Sequence, residues 1–191
     1  MIADWERKGK LHHIITQNVD QLHFKAGNAN VLELHGTNAT VQCITCNYSV
    51  PRFSFQDTLD NLNPNFVKRP LVETLRPDGD VYLTDEEVEN FVLPTCPKCG
   101  GSSLKPLIVF FGDNVPKDKV QTCKRLVHES DSILVIGSSL QVFSGYRLIL
   151  QASEEGKRIS IINIGPTRAD HLVDLKISTK AGDILSKINL A

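Results

Sequence analysis

The sequence predicts an α/β fold: a parallel sheet covered by helices, with a small metal-binding module inserted into it. Three observations predict this. Apolar runs over 107–111, 132–136 and 159–164 alternate with helical stretches, the pattern of βαβ units whose strands are buried on both faces. Two Cys-x-x-Cys pairs, Cys43/Cys46 and Cys96/Cys99, interrupt that pattern. The expected carboxyl ends of the strands carry small or polar residues: Thr16-Gln17-Asn18, Gly112-Asp113, Gly137-Ser138-Ser139 and Asn163-Ile164-Gly165.

In chain order, residues 11–16 read as a short strand rich in β-formers, and 20–26 as a helix stopped by Gly27. Short extended pieces follow at 31–34 and 39–42, on either side of His35-Gly36. From 47 to 94 the composition shifts toward Pro, Asn and Asp, which predicts an insert folded around metal and not around a core. Within it, 85–91 reads as a helix opened by the Thr84 cap and an acidic first turn. After the second cysteine pair come a strand over 107–111, a helix over 117–129, a strand over 132–136, a helix over 146–155 and a strand over 159–164. The expected organisation is one Rossmann-like domain in two parts, 1–42 and 105–191, with the zinc-binding module and insert at 43–104.

The cysteines favour zinc. A Cys-x-x-Cys knuckle places two thiolates on one side of an ion, and two knuckles close a tetrahedron with no position left for water. The alternatives are two disulfides or one redox-active pair. Pro97 and Lys98 inside the second pair, and Gly100-Gly101 after it, support a knuckle, because backbone amides can turn toward the sulfurs there. Cys123, beside Leu126 and Val127 in a helical stretch, reads as a buried small apolar group.

Composition sets bounds. The 191 residues, 41% of them hydrophobic, suffice for one good core and a small appended module. The formal net charge is −1, with Lys and Arg spread along the chain, so the sequence carries no electrostatic footprint for nucleic acid or an anionic membrane, and neither is expected as a partner. No apolar run approaches the roughly 18 residues of a membrane span. The opening Met1-Ile2-Ala3-Asp4-Trp5-Glu6 resembles neither a signal peptide nor a transit peptide. Parallel sheets bind ligands outside the carboxyl ends of their strands, and the small residues there let amides approach phosphates and ribose hydroxyls, so a nucleotide is the expected ligand.

Taken in order, Thr16-Gln17-Asn18-Val19-Asp20, Leu22-His23, Ala26-Gly27, Glu33-Leu34-His35-Gly36, both cysteine pairs, Lys105-Pro106 to Gly112-Asp113, Gly137-Ser138-Ser139-Leu140-Gln141-Val142 and Asn163-Ile164-Gly165-Pro166-Thr167 resemble the sirtuins, NAD-dependent protein lysine deacylases. The long insert and the Gly-Pro-Thr-Arg ending at Arg168 resemble the class II branch, whose animal members are mitochondrial, which implies the mitochondrial matrix. The resemblance implies NAD as cofactor, one structural zinc, and acyl-lysine proteins or peptides as substrates.

It also implies roles. His35 would be the general base toward the cofactor ribose, for which a neutral imidazole is suited; the competing reading is a core histidine held by hydrogen bonds. Gln17, Asn18, Val19 and Asp20 would line the nicotinamide ribose and carboxamide, with Asn18 taking part in catalysis. Asp20 also reads as a helix cap. Gly137, Ser138 and Ser139 would meet the cofactor, with Asn163, Ile164 and Gly165 on the adenosine side. Ala181 stands where many relatives have cysteine. The implied reaction is attack of the acyl-lysine oxygen at the anomeric carbon, departure of nicotinamide, and transfer of the acyl group to ADP-ribose; protein ADP-ribosylation is the related activity. A peptide strand would pair between 109–112 and 137–142. Where relatives have Pro-Ala after Leu140-Gln141-Val142, this chain has Phe143-Ser144.

The family's glycine-rich phosphate loop, the N-terminal βα unit, does not occur in this sequence, which predicts a gap in the sheet and weak binding of NAD. The alternative function is therefore a catalytically impaired, zinc-stabilised binding module. A dehydrogenase is disfavoured, since no Gly-x-Gly-x-x-Gly follows a strand.

Overall fold

The computed structural model describes residues 1–66 and 83–188. The first half comprises α1 (Ile2–Arg7), β1 (Ile14–Thr16), α2 (Leu22–Lys25), β2 (Val31–Glu33), β3 (Gly36–Cys43), β4 (Ser49–Pro51), α3 (Arg52–Leu62) and α4 (Asp85–Glu89). The second comprises β5 (Leu104–Ile108), α5 (Lys117–Glu129), β6 (Ser132–Ile136), α6 (Phe143–Glu154), β7 (Arg158–Ile162), a 3₁₀ turn at Asp170–Leu172, β8 (Leu175–Ile177) and α7 (Ala181–Leu185). They form two compact units, one of Met1–Thr37 with Ile108–Ala191, the other of Asn38–Leu107.

The first unit is α/β. Strands β6, β7 and β8 are parallel in that order, with Ser132 opposite Arg158 and Ser160 opposite Leu175; β1 and β2 form a separate parallel pair in which Ile14 faces Val31. The expected parallel sheet is thus present in two pieces. Central β7 reads Arg-Ile-Ser-Ile-Ile, and its Ile159, Ile161 and Ile162 are all buried. Helix α5 buries Cys123, Leu126 and Val127, and α6 buries Tyr146, Leu148, Ile149 and Ala152, both at the three- and four-residue spacing of one helical face. All of these side chains except Leu126 join Leu34, Val135, Ile159 and Ile161 in one core. Cys123 is fully buried, as a small apolar group would be.

Among the described residues, coverage of both sheet faces does not hold. Leu134 of β6 and Leu175 of β8 stay 42% and 52% exposed, because α5 and α6 pack on the opposite side from these residues, where Val135 lies in the core. The run over 107–111 also differs from expectation. Its strand is Leu104–Ile108, and it pairs beside β3 instead of entering the parallel sheet, while Phe111 is 97% exposed. A run of apolar residues states burial potential and not the neighbour it pairs with, and here hydrogen bonding to β3 decides. Strand β1 is shorter than expected, and α2 begins at Leu22, whose N–H donates to Asp20 Oδ1 while Gln21, at φ +60°, takes the cap position without a side-chain bond; Gly27, at φ +89°, ends it as expected.

The second unit corrects the expectation of an insert without a core. Strand β4 pairs antiparallel with β3, Thr40 opposite Pro51, and α3 follows at once. Val41, Phe55 and Leu59 are buried there with Val50, Phe91 and Leu104 against them. Phe55 and Leu59 lie one turn apart, enough to seat a short helix whose other positions are mostly polar. Phe66 meets Phe91 edge-on at 5.1 Å, and Asn63 exchanges two hydrogen bonds with the backbone of Val92. Helix α4 opens on a capping box: Glu87 N–H donates to Thr84 Oγ1, and Thr84 N–H donates to the Glu87 carboxylate. The remainder of the insert, 67–82, lies outside the described residues.

Truncating Ile161 to Ala, at a position 1% exposed, should lower unfolding free energy by about 2–5 kcal/mol, whereas Phe111→Ala should change it by about 0.5 kcal/mol or less. Urea denaturation of the two variants checks this ranking.

Candidate functional site

The first cluster is metal-binding. Cys43 ends β3, and the chain turns back through Asn47, whose N–H donates to Cys43 O at 3.0 Å and whose φ is +58°. The second turn repeats the device: Gly100 N–H donates to Cys96 O at 2.8 Å, Cys96 N–H donates to Gly101 O at 2.7 Å, and Gly100 has φ +72°. Ile44 N–H donates to Ser103 O and ties the two turns together.

The four sulfurs lie within 4.8 Å of one another, with Cys43 to Cys99 at 3.7 Å and Cys46 to Cys96 at 3.6 Å. Zinc–sulfur bonds of about 2.3 Å in a tetrahedron put sulfurs about 3.8 Å apart, so the set fits zinc. A disulfide needs about 2.05 Å, and all five cysteines are free, which removes the disulfide reading. The electrostatics call for a cation. Backbone N–H groups of Cys46 and Thr45 pull the Cys43 thiol down to about 6. The Gly101 N–H also favours the Cys99 thiolate, yet Cys46, burial, Cys96 and Cys43 together push that thiol up to about 12. Four thiolates cannot share this volume without a positive charge between them.

The second cluster lies at the carboxyl ends of the first unit's strands. Leu34 N–H still donates to Thr16 O, extending the β1–β2 pairing, and the chain then turns at His35-Gly36, with Gly36 at φ +83°. His35 is fixed at both ring nitrogens: Nδ1 is 3.2 Å from Gln17 O and Nε2 is 2.7 Å from Ser144 Oγ. A carbonyl can only accept, so Nδ1 carries the hydrogen. Burial pushes the imidazole below its usual range, Lys119 adds to this, and only the Gln17 carbonyl opposes it, so the ring is neutral at pH 7.

Gln17 is pinned in turn. Its Nε2 donates to Ser138 Oγ at 2.8 Å, and Ser138 Oγ also accepts from Leu140 N–H at 3.2 Å, across a turn that puts Leu140 at φ +56°. A Cβ on Gly145 would come 3.1 Å from the Gln17 carboxamide, so the start of α6 approaches Gln17 as closely as glycine allows. The structure thus brings Gln17, His35 and Ser138 together and adds Ser144 and Gly145. Sequence reasoning noted Ser144 only as a departure from Pro-Ala and passed over Gly145; that departure was the available signal.

The other candidates are placed as follows. Asn18 N–H donates to Thr16 Oγ1 at 3.1 Å, and Asn18 is exposed. Asp20 Oδ1 accepts from Leu22 N–H at 3.0 Å, the capping contact. Val19 lies between them, partly exposed. Gly137 N–H donates to Ile162 O, and Asn163 Nδ2 donates to Gly165 O at 3.0 Å, with Ile164 exposed. Arg168 N–H donates to Ser139 O, and its guanidinium lies 4.4 Å from the Tyr146 ring centre. Ala181 is the first residue of α7.

The chain matches the Sir2 family over residues 1–144. It is 50% identical over 187 residues to the NAD-dependent protein deacylase Sirt4 of Drosophila melanogaster, covering 98% of this chain and 59% of that protein. To the NAD-dependent protein lipoamidase sirtuin-4, mitochondrial, of Homo sapiens it is 48% identical over 188 residues, with the same coverage of 98% and 59%. Among solved structures, it resembles one described as Sir2 bound to acetylated peptide, with a TM-score of 0.77 at 27% identity, covering 97% of this chain and 65% of that one. Another, Sir2Af2 bound to a myristoylated histone peptide, gives a TM-score of 0.71 at 31% identity, covering 97% and 66%. The chain therefore spans about six-tenths of the length of these two relatives.

Elemental analysis of the purified chain should find about one zinc per molecule, and Cys96→Ser should lower both metal content and soluble yield, since a structural zinc contributes folding free energy. Full zinc content in a Cys43→Ser/Cys46→Ser double variant would contradict the site.

Proposed function

The chain belongs to the Sir2 family, and from that premise we propose that it serves an NAD-dependent protein lysine deacylase of the sirtuin type, with protein ADP-ribosylation as its related activity. The observation that carries the reading is His35: a neutral imidazole at the ends of parallel strands, its Nδ1–H held by the Gln17 carbonyl and its basic Nε2 turned the other way. The metal site supports the same reading from the opposite side. Four cysteine ligands leave zinc no open position, so zinc serves the fold and the proton chemistry falls to His35.

NAD, when bound, supplies the ribose carbon at which nicotinamide is exchanged for an acyl oxygen. The residues proposed to hold it are Gln17, Asn18, Val19 and Asp20 on the nicotinamide side, Gly137, Ser138 and Ser139 along the strand-end loop, and Asn163, Ile164, Gly165 and Ala181 on the adenosine side. The fit rests on the close approach of Gln17 to Gly145, which fixes a carboxamide where a Cβ would block it, and on exposed Asn18 and Asp20 beside it. Asp20 keeps its cap and offers its second oxygen to a ligand. His35 takes the proton from a ribose hydroxyl, and Asn18 orients the reacting groups.

The proposed substrates are acyl-lysine proteins or peptides, seated as an added strand between 109–112 and 137–142, which reads backbone more than sequence. The acetylated and myristoylated peptides in the related structures support this substrate class. The relatives are named as enzymes, so a binding module without activity gains no support. The proposed location is the mitochondrial matrix, supported by the mitochondrial sirtuin-4 names of the Bos taurus and Homo sapiens relatives.

The test is His35→Ala in the full-length protein that carries this chain, assayed by nicotinamide release from an acyl-lysine peptide. Turnover should fall about 10²- to 10⁴-fold with zinc content unchanged. Because the folded ring's pKa is depressed, the wild-type base stays neutral and active through pH 7, and activity should fall only as pH drops below about 6.5. Equal turnover in the variant would overturn the assignment of His35.

A further inference from the structure

The hydroxyl at the start of α6 is a feature that the proposed chemistry does not use. Ser144 is the second residue of that helix, and its Oγ lies 2.7 Å from His35 Nε2. The direction of this hydrogen bond follows from the other ring nitrogen. If Nε2 carried the hydrogen in a neutral ring, Nδ1 would turn a bare lone pair on the Gln17 carbonyl oxygen 3.2 Å away. Two acceptors at that distance repel, so the hydrogen stays on Nδ1 and Nε2 can only accept. The donor across the short contact is therefore the Ser144 hydroxyl.

We propose that Ser144 is a positioning residue that caps the basic lone pair of His35, so that a substrate hydroxyl reaches Nε2 only by displacing the Ser144 hydroxyl. This inference rests on the reading of His35 as the base. The cap is held by geometry around it and not by one rotamer alone. Gly145, the next residue, packs directly on the Gln17 carboxamide, and Gln17 both bonds His35 through its carbonyl and bonds Ser138 through its side chain. The first turn of α6 and the His35 strand end are thus locked in one register, with Ser144 facing the ring.

The balance of protons is simple. In the free protein the Ser144 O–H donates to Nε2. When a substrate hydroxyl takes its place and gives up its proton, an Nε2–H bond forms as the substrate O–H bond breaks, and Ser144 keeps its own hydrogen throughout. Ser144 therefore competes with substrate for one lone pair and takes no part in the transfer itself. Lys119, the charged group among the described residues that acts on the ring, donates its ammonium to Glu33 O at 2.6 Å and, as a donor, does not act as a base there.

The experiment compares Ser144→Ala and Ser144→Thr with the parent chain. Diethyl pyrocarbonate attacks the free lone pair of a neutral imidazole, and mass spectrometry follows its addition to His35. Removing a bond of ordinary net strength should speed this addition about 2- to 10-fold in Ser144→Ala, while Ser144→Thr, which keeps the hydroxyl, should stay near the parent rate. An unchanged rate in Ser144→Ala overturns the cap. In the full-length protein that carries this chain, Ser144→Ala should lower the KM for NAD by a similar factor with kcat unchanged, a split that loss of general stability does not produce. If addition speeds up and KM does not move, the cap stands and the reading of His35 as the base fails.

Discussion

Four sulfurs within 4.8 Å of one another set the terms for everything else in this molecule. Four thiolates in that volume repel, and the amides of the two turns can relieve only part of the charge, which is why Cys43 is pulled down to about 6 while Cys99 is pushed up to about 12. A divalent cation resolves the conflict and links the end of β3 to the segment that leads into β5. Because four ligands complete the tetrahedron, the same interaction that builds the module removes its metal from chemistry. The groups proposed for the chemistry lie in the other unit.

That unit meets the requirement through its strand ends. Parallel pairing leaves backbone groups and small residues at one edge, and Gln17, Ser138 and His35 gather there because β1, β2 and β6 end nearby in sequence. The Gln17 carbonyl does the electrostatic work by choosing the imidazole tautomer, and burial keeps the ring neutral. The strained turn at Leu140 and the bare Cα of Gly145 let α6 start directly against this group. Ser144 arrives at the His35 ring through that close approach, as a consequence of how the helix begins.

Much of this was legible in the sequence, and the misses have specific causes. Helix 117–129 and strand 132–136 were read to the residue, since a clean three-to-four spacing and an unbroken apolar run bounded by Ser and Gly leave little choice. That the four cysteines come together was readable from their spacing alone. Strand β5 was assigned to the wrong sheet because a run of apolar residues does not name its neighbour. Helix α3 was missed because only Phe55 and Leu59 of its eleven residues are buried, too few to stand out from a polar insert. Asp20 carried both a ligand reading and a capping reading, and the capping contact is the one the fold displays. Ser144 was visible only as a departure from Pro-Ala. Its meaning needs the approach of two segments 109 positions apart, which no local pattern encodes.

The central claim is that the metal and the chemistry are separate, with NAD consumed and zinc only structural. The most direct measurement follows all products when the full-length protein that carries this chain meets NAD and an acyl-lysine peptide, by mass spectrometry. The account predicts one nicotinamide and one acylated ADP-ribose for each acyl group removed. Release of the acyl group as a free carboxylate with NAD intact would mean that a metal-activated water does the work, and would contradict the account.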